Sequence, residues 1–236
     1  DGKSLGVVAS LDNASNNLGD AAGDRYFSIE NLIGSNYADT LFGNTGKNIL
    51  IGGAGVDTLV GGAGADTLYG AAISSNDVSI ETNNNYASYE TSALGVHASL
   101  VHTIVINNGK TEDSFNTGDA QFDEYHNIWN LWGSTHDDYL QGDTNNNTLI
   151  GGGGNDTLEG GKGADSLVGR NVADIVTVSY EHADNTVKLI VNLADSSQNT
   201  GEATGDTYTN ITNIMHIKPQ KVADSMFKVV SVAFTL

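Results

Sequence analysis

The sequence predicts an all-β fold, a solenoid of short parallel strands, and three observations predict it. A nine-residue unit with glycine at positions 1, 2 and 4, Asp at position 6 and an aliphatic residue at position 8 runs as Gly52-Gly53-Ala54-Gly55-Val56-Asp57-Thr58-Leu59-Val60 and again, without a gap, from Gly61 to Tyr69. The unit returns from Gly151 to Glu159 and from Gly160 to Val168. Self-similarity at a fixed period marks an architecture in which each unit buries its apolar residue only against its neighbours. No stretch sustains a 3.6-residue apolar period, so few helices are expected.

With degenerate copies included, each block holds four units, starting at Gly34, Gly43, Gly52 and Gly61, then at Gly133, Gly142, Gly151 and Gly160. Position 8 is always leucine: Leu41, Leu50, Leu59 and Leu68, then Leu140, Leu149, Leu158 and Leu167. Position 6 is Asp39, Asn48, Asp57 and Asp66, then Asp138, Asn147, Asp156 and Asp165. The second unit of each block carries Asn, and the shared exception points to internal duplication. The duplication extends upstream. Leu18–Asp24 aligns with Thr117–Asp123, and Asn31–Ser35 with Asn130–Ser134, at an offset of 99 (118 − 19 and 130 − 31). A third, partial copy runs Thr200–Asp206 and ends at Ile211–Ile214, while Ala87-Ser88-Tyr89-Glu90 recurs as Val178-Ser179-Tyr180-Glu181.

The expected organisation is module one at 1–80 (roll about 34–70), module two at 81–180 (roll about 133–174), and a partial third module with a C-terminal tail at 181–236. About ten additional residues near Val101–Glu112 are expected as a longer hairpin or loop. Short strands are expected over Leu5–Leu11, Val96–Ile106 and Val187–Leu193, which are rich in β-branched and aliphatic residues and bounded by Asn, Gly and Asp.

Within a unit, six residues make a loop and three a strand, whose alternation sends Leu59 inward and Thr58 and Val60 outward. Two units complete a turn, so position-6 side chains of units i and i+2 lie one rung apart. This stacks Asp39 over Asp57, Asn48 over Asp66, Asn147 over Asp165, and Asp138 over Asp156 with Asp174 next. Carboxylates roughly 4.8 Å apart repel unless a cation lies between them. Hard divalent cations prefer carboxylate and carbonyl oxygens, and glycine admits the backbone conformations that present loop carbonyls.

Composition agrees. Acidic residues outnumber basic ones 29 to 10, for a net charge of −19. That balance argues against nucleic acid and anionic membranes as partners and calls for counter-charge. The absence of cysteine excludes disulfides, thiolate metal sites and cysteine nucleophiles, leaving metal as the available staple for an extracellular protein. No apolar run approaches a membrane span, and no signal-peptide pattern opens the sequence.

These units resemble the RTX (repeats-in-toxin) calcium-binding parallel β-roll of secreted bacterial proteases, lipases, toxins, epimerases and adhesins. The resemblance is strong over both blocks and moderate between them. It implies a right-handed parallel β-roll with several Ca2+ ions. Each ion would take the carbonyls of positions 2 and 4 and the Asp of one loop, with the carbonyls of positions 1 and 3 and the Asp of the loop one rung on. Carried onto this sequence, Ser35, Tyr37 and Asp39 would join Gly52, Ala54 and Asp57, and Asn44, Gly46 and Asn48 would join Gly61, Ala63 and Asp66. In the second block, Ser134, His136 and Asp138 would join Gly151, Gly153 and Asp156. Asp143, Asn145 and Asn147 would join Gly160, Lys162 and Asp165, and Gly152, Gly154 and Asp156 would join Gly169, Asn171 and Asp174. The position-2 and position-4 glycines Gly53, Gly55, Gly62, Gly64, Gly161 and Gly163 complete the set. Asn48 and Asn147 lack charge, so weaker sites are expected there.

The resemblance further implies a secreted, extracellular bacterial module. It would stay expanded in the calcium-poor cell, pass a type I secretion apparatus and fold on millimolar calcium outside. The alternative is a carbohydrate-binding or accessory module of a polysaccharide-processing enzyme or adhesin, with extracellular polysaccharide as partner. Trp129 and Trp132 would then stack on sugar rings; the simpler reading packs Trp132, like Ile33, at the start of its roll and leaves Trp129 partly exposed. The six histidines lack metal-like spacing and are expected at the surface. No Gly-x-Ser-x-Gly elbow or triad context occurs, and Asp137-Asp138 lies inside the repeat, so no catalytic constellation is seen. The tail, Lys218–Leu236, reads either as a last strand covering the open end of the solenoid or as an uncleaved secretion signal.

Overall fold

The computed structural model describes residues 5–71, 84–101, 104–107, 110–113, 115–171, 173–184, 187–215 and 227–230. The chain begins with β1 (Val8–Ser10), β2 (Asn31–Ile33), β3 (Thr40–Phe42), β4 (Ile49–Ile51), β5 (Thr58–Val60), β6 (Thr67–Tyr69) and β7 (Tyr86–Ser88). A connecting region holds β8 (His97–Ser99), β9 (Ile104–Asn107), β10 (Lys110–Asp113) and β11 (Glu124–His126). The second roll follows as β12 (Asn130–Trp132), β13 (Tyr139–Gln141), β14 (Thr148–Ile150), β15 (Thr157–Glu159), β16 (Ser166–Val168) and β17 (Thr177–Ser179). Last come β18 (Leu189–Asn192), β19 (Thr207–Thr209), β20 (Asn213–Met215) and β21 (Phe227–Val230). The helical elements among the described residues are single 3-10 turns, such as Gly19–Ala21 and Gly118–Ala120, and none is long and apolar enough to cross a membrane.

The fold is an all-β parallel β-roll. Successive nine-residue units alternate between two faces, so strands 18 residues apart pair in parallel: Thr40↔Thr58, Ile49↔Thr67, Tyr139↔Thr157 and Thr148↔Ser166. One face is a continuous eight-stranded sheet, β1-β3-β5-β7-β12-β14-β16-β19. The other carries two sheets, β2-β4-β6-β11 and β8-β13-β15-β17-β20. All eight position-8 leucines are fully buried between the faces, within a core cluster that runs through both rolls. Outward Thr58 is half-buried as expected, whereas Val60, also outward, is buried.

The modules interlock. After β7 the chain runs to β8, which pairs with β13 of the second roll, then returns to lay β11 on β6 and β12 on β7. The next junction repeats this, with β19 on β16 and β20 on β17. Equivalent strands of the two modules therefore fall on opposite faces: β3 and its counterpart β13, for example, lie in different sheets. The expected insertion is the antiparallel hairpin β9–β10. It accounts for the wider spacing of the bridge His97↔Thr117 relative to Val8↔Leu18 and Ile190↔Thr200. In the tail, β21 pairs in parallel with β18, and residues 216–226 and 231–236 lie outside the described residues.

Burial of the leucine column provides the main apolar stabilisation, since each rung has little else to bury. Leu149→Ala is expected to lower stability by about 2–5 kcal/mol, whereas Thr148→Val, on the outer face, is expected to change it by less than about 0.5 kcal/mol. Thermal melts in saturating calcium check the contrast.

Candidate metal centre

The position-6 side chains form hydrogen-bonded ladders along the stack. The backbone N–H of Asp39 donates to Asp57 Oδ1 at 2.8 Å, and that of Asn48 to Asp66 Oδ1 at 2.7 Å. In the second roll Asp138 N–H donates to Asp156 Oδ1 at 3.1 Å, and Asn147 N–H to Asp165 Oδ1 at 2.8 Å. Residues outside the nonapeptides continue the ladders. Asp57 N–H donates to Asn85 Oδ1, Asp66 N–H to Asp123 Oδ1, and Asp165 N–H to Asp206 Oδ1. At the opposite end Asp39 accepts from the Val7 N–H and from Ser35, and Asp138 from the Val96 N–H and from Ser134.

This bonding divides the predicted ligands into two kinds. Asp39 and Asp138 have both oxygens satisfied by protein donors. Asp57, Asp66, Asp156 and Asp165 each use Oδ1 in the ladder and leave Oδ2 buried with no hydrogen-bond partner. Four orphaned carboxylate oxygens in one small protein call for a donor or a cation, because a buried unmatched acceptor costs about 1–3 kcal/mol.

The glycines surround these oxygens with carbonyls. Gly53 has φ of 109°, and a Cβ there would stand 2.1 Å from the Ser35 carbonyl oxygen; at Gly55 (φ 117°) it would stand 2.9 Å from that of Tyr37. The same cradle recurs with Asn44 and Gly46 against Gly62 and Gly64, Ser134 and His136 against Gly152 and Gly154, and Asp143 and Asn145 against Gly161 and Gly163. The position-1 carbonyls of Gly52, Gly61, Gly151 and Gly160 face the preceding rung, each 2.3–2.4 Å from where a Cβ would stand on Gly34, Gly43, Gly133 or Gly142. A loop with side chains at these places would close on itself. The arrangement of backbone carbonyls around a buried carboxylate fits a hard divalent cation. Among the described residues no three His, Asp or Glu side chains cluster as a metal site, so main-chain oxygens must supply most of the ligation.

Two sequence expectations change. Asp174 does not continue the Asp138–Asp156 ladder. Thr157 pairs with Thr177, an offset of 20 rather than 18, so the loop after Gly169 is two residues longer and buried Val176 precedes the strand. Asp174 instead accepts from Asn171 Nδ2, and a Cβ on Gly169 would meet Val176 and the Asn210 carbonyl. The Asn exceptions also acquire a structural reason. Asn48 Nδ2 donates to the Glu30 carbonyl at 2.7 Å, and Asn147 Nδ2 to that of Trp129 at 2.7 Å. Each Asn opens its ladder, where the side chain must accept from one side and donate to the other; a carboxylate only accepts.

Sequence reasoning missed Asn85, Asp123 and Asp206, which end the ladders, and Tyr89 and Tyr180, whose hydroxyls donate to Asp123 Oδ2 and Asp206 Oδ2 at 2.9 and 2.7 Å. The signal was present in the repeated Gly-Asp and Ser-Tyr-Glu stretches. The histidine expectation holds in part. His126, His136 and His182 are exposed, and His182 meets buried Glu159 at 3.0 Å, which raises its pKa; His97 is half-buried and packs on Tyr139. His102 and His216 lie outside the described residues. Trp129 and Trp132 are both partly buried, and the Arg170 guanidinium stands 5.4 Å over the Trp132 ring. Ile33, by contrast, is exposed.

A family model for the RTX calcium-binding nonapeptide repeat matches residues 30–72 and 132–167, in four copies. The two blocks are RTX calcium-binding repeats, and the match covers the rolls rather than the segments between them. No curated protein matches the chain.

Two predictions follow from the ladder. Desolvation raises the carboxyls of Asp57 and Asp66 to about 6 and those of Asp156 and Asp165 to about 7, against an ordinary value of 3.8. Between pH 3.8 and these values the metal-free fold holds protons that the unfolded chain has released. Stability of the metal-free fold therefore falls as pH rises through that window. In chelator, more residual β signal is expected at pH 5 than at pH 8, and the calcium needed for half-saturation is expected to increase as pH falls from 8 to 5. Asn147→Asp places a carboxylate against the Trp129 carbonyl and should cost about 1–3 kcal/mol even in saturating calcium. Were Asn147 merely a weakened ligand, the same change would raise the melting temperature.

Proposed function

We propose that this protein is a calcium-dependent β-roll module of a secreted bacterial protein, which stays expanded at low calcium and folds when calcium binds outside the cell. The observation that carries this reading is the set of buried, unpartnered oxygens on Asp57, Asp66, Asp156 and Asp165. One ion would be held by the Ser35, Tyr37, Gly52 and Ala54 carbonyls with Asp57, and a second by those of Asn44, Gly46, Gly61 and Ala63 with Asp66. In the second roll the corresponding sets are Ser134, His136, Gly151 and Gly153 with Asp156, and Asp143, Asn145, Gly160 and Lys162 with Asp165.

Bound calcium would supply positive charge beside each of the four carboxylates, one at each site. The rest of the work falls to the chain: Oδ1 of each Asp holds the register, the glycines admit the close approach of loops, and the leucines exclude water. A net charge of −19 disfavours the compact state without cations, so binding free energy becomes folding free energy. Export through a type I apparatus fits a chain that is unfolded at cytoplasmic calcium. A polysaccharide-binding role gains less support, because Arg170 occupies one side of the Trp132 ring.

Circular dichroism with ion counting tests the reading. Chelation should abolish most of the β signal, millimolar calcium should restore it, and equilibrium dialysis should find four ions per chain. Asp57→Asn should remove one ion. A β signal equal in chelator and in calcium would overturn the proposal.

A further inference from the structure

The segment that opens each module occurs three times, at residues 18–33, 117–132 and 200–215. Each copy begins with a one-turn 3-10 helix, Gly19–Ala21, Gly118–Ala120 or Gly201–Ala203. Each also turns through a left-handed residue at the same place, Ser28, Asn127 or Asn210, with φ of 53°, 53° and 54°. The local conformations match; what lies against them differs.

The second and third copies rest on the closing end of a roll. There, Glu124–His126 and Thr207–Thr209 are strands, on β6 and β16. Asp123 and Asp206 are fully buried, each taking a backbone N–H of the roll on Oδ1 and a tyrosine hydroxyl on Oδ2. That hydroxyl, from Tyr89 or Tyr180, also meets the hydroxyl of Tyr125 or Tyr208. Ile128 and Ile211 are only 5% and 6% exposed.

The first copy keeps the Asp, Tyr and Ile of the other two but has no roll against it among the described residues. Arg25–Phe27, equivalent to β11 and β19, is not a strand. Asp24 is exposed, Ile29 is 45% exposed and Phe27 80%. Among the described residues β2 pairs with β4 alone, whereas its equivalent β12 lies between β7 and β14.

We propose that this face, formed by Asp24, Tyr26, Phe27, Ile29 and β2, is a joint for the closing end of another RTX roll of the same module type. Its occupant is a last Asp-Thr-Leu or Asp-Ser-Leu rung followed by a Ser-Tyr-Glu strand. The rung's Asp N–H bonds to Asp24, as Asp66 N–H does to Asp123, and the tyrosine hydroxyl bridges Asp24 and Tyr26. Phe27 lies over the rung's last residue, as His126 stacks on Tyr69 with ring centroids 4.4 Å apart. A featureless apolar partner would cover Phe27 and Ile29 but would leave Asp24 buried without donors. Only a strand edge that offers an N–H and a hydroxyl at this spacing satisfies every group, and both internal junctions provide it.

The test is a tandem protein with residues 1–93 placed ahead of 5–236. The seam is natural, because Leu94-Gly95-Val96-His97-Ala98-Ser99-Leu100 is equivalent to Leu5-Gly6-Val7-Val8-Ala9-Ser10-Leu11. Hydrogen exchange in calcium is followed by mass spectrometry in the tandem and in the original chain. Exchange across the segment equivalent to 24–33 just after the seam should slow about tenfold or more relative to the original chain, approaching that of 123–132. Tyr89→Phe in the leading copy alone should speed it again. Unchanged exchange there overturns the proposal, and so does a leading roll left unprotected while the two rolls behind it are protected. Protection of those two rolls on calcium addition tests the calcium reading separately.

Discussion

Everything in this fold depends on a position-6 carboxylate with two separate tasks. Oδ1 accepts the backbone N–H of the neighbouring rung, which fixes the register of 18 residues and brings each leucine over the next. Oδ2 is thereby carried into a buried place with no donor. The atom that positions the rung and the atom that wants a cation belong to one planar group, so neither can be placed without the other. Under the proposed function, cation binding and folding would be coupled in one residue and not through a distant linkage. The glycines extend the argument: at Gly53 or Gly152 a side chain would strike the carbonyl of the loop one rung away, so close stacking of loops and exposure of their oxygens are one requirement.

Much of this was legible in the sequence because the repeat is periodic in both backbone and side-chain requirements. The nine-residue period gave the alternation of faces, the buried leucine column and the partner of every position-6 residue within a block. Reading failed where a residue's role depended on its place in the stack and not on its unit. Asn48 looked like a defective ligand; its amide is needed because a carbonyl, not an N–H, lies beside it. Asp174 kept the spacing by eye, but two inserted residues moved it off the rung and left Val176 there. Asp123 and Asp206 are far from the blocks in sequence, and only the return of the chain across the junction brings them to Asp66 and Asp165. The repeated Gly-Asp and Ser-Tyr-Glu stretches mark these residues as equivalent, but not which rung each one meets.

The junctions also explain why the two rolls act as one body. The core runs through both, and one sheet of eight strands crosses the boundary without a break. At each crossing a tyrosine, Tyr89 or Tyr180, closes over an Asp further along the chain, Asp123 or Asp206, with its hydroxyl pKa pushed up by burial and by that Asp. A stack made in this way should lose its ends before its middle, because an interior rung has neighbours on both sides.

The exchange of faces between modules gives the stack a front and a back. Copying a module turns its outward residues to the far side, so an unaltered duplicate would carry the residues of one wall on both. The strand-end positions have diverged instead: Phe42 and Val60 correspond to Gln141 and Glu159. At its strand ends the long sheet carries Phe42, Val60, Ser88, Trp132, Ile150 and Val168, whereas the sheet behind the second roll carries Gln141 and Glu159, both buried. The difference lies beneath the surface: Gln141 and Glu159 are only 7% and 3% exposed, and each answers a polar neighbour, Ser99 and His182.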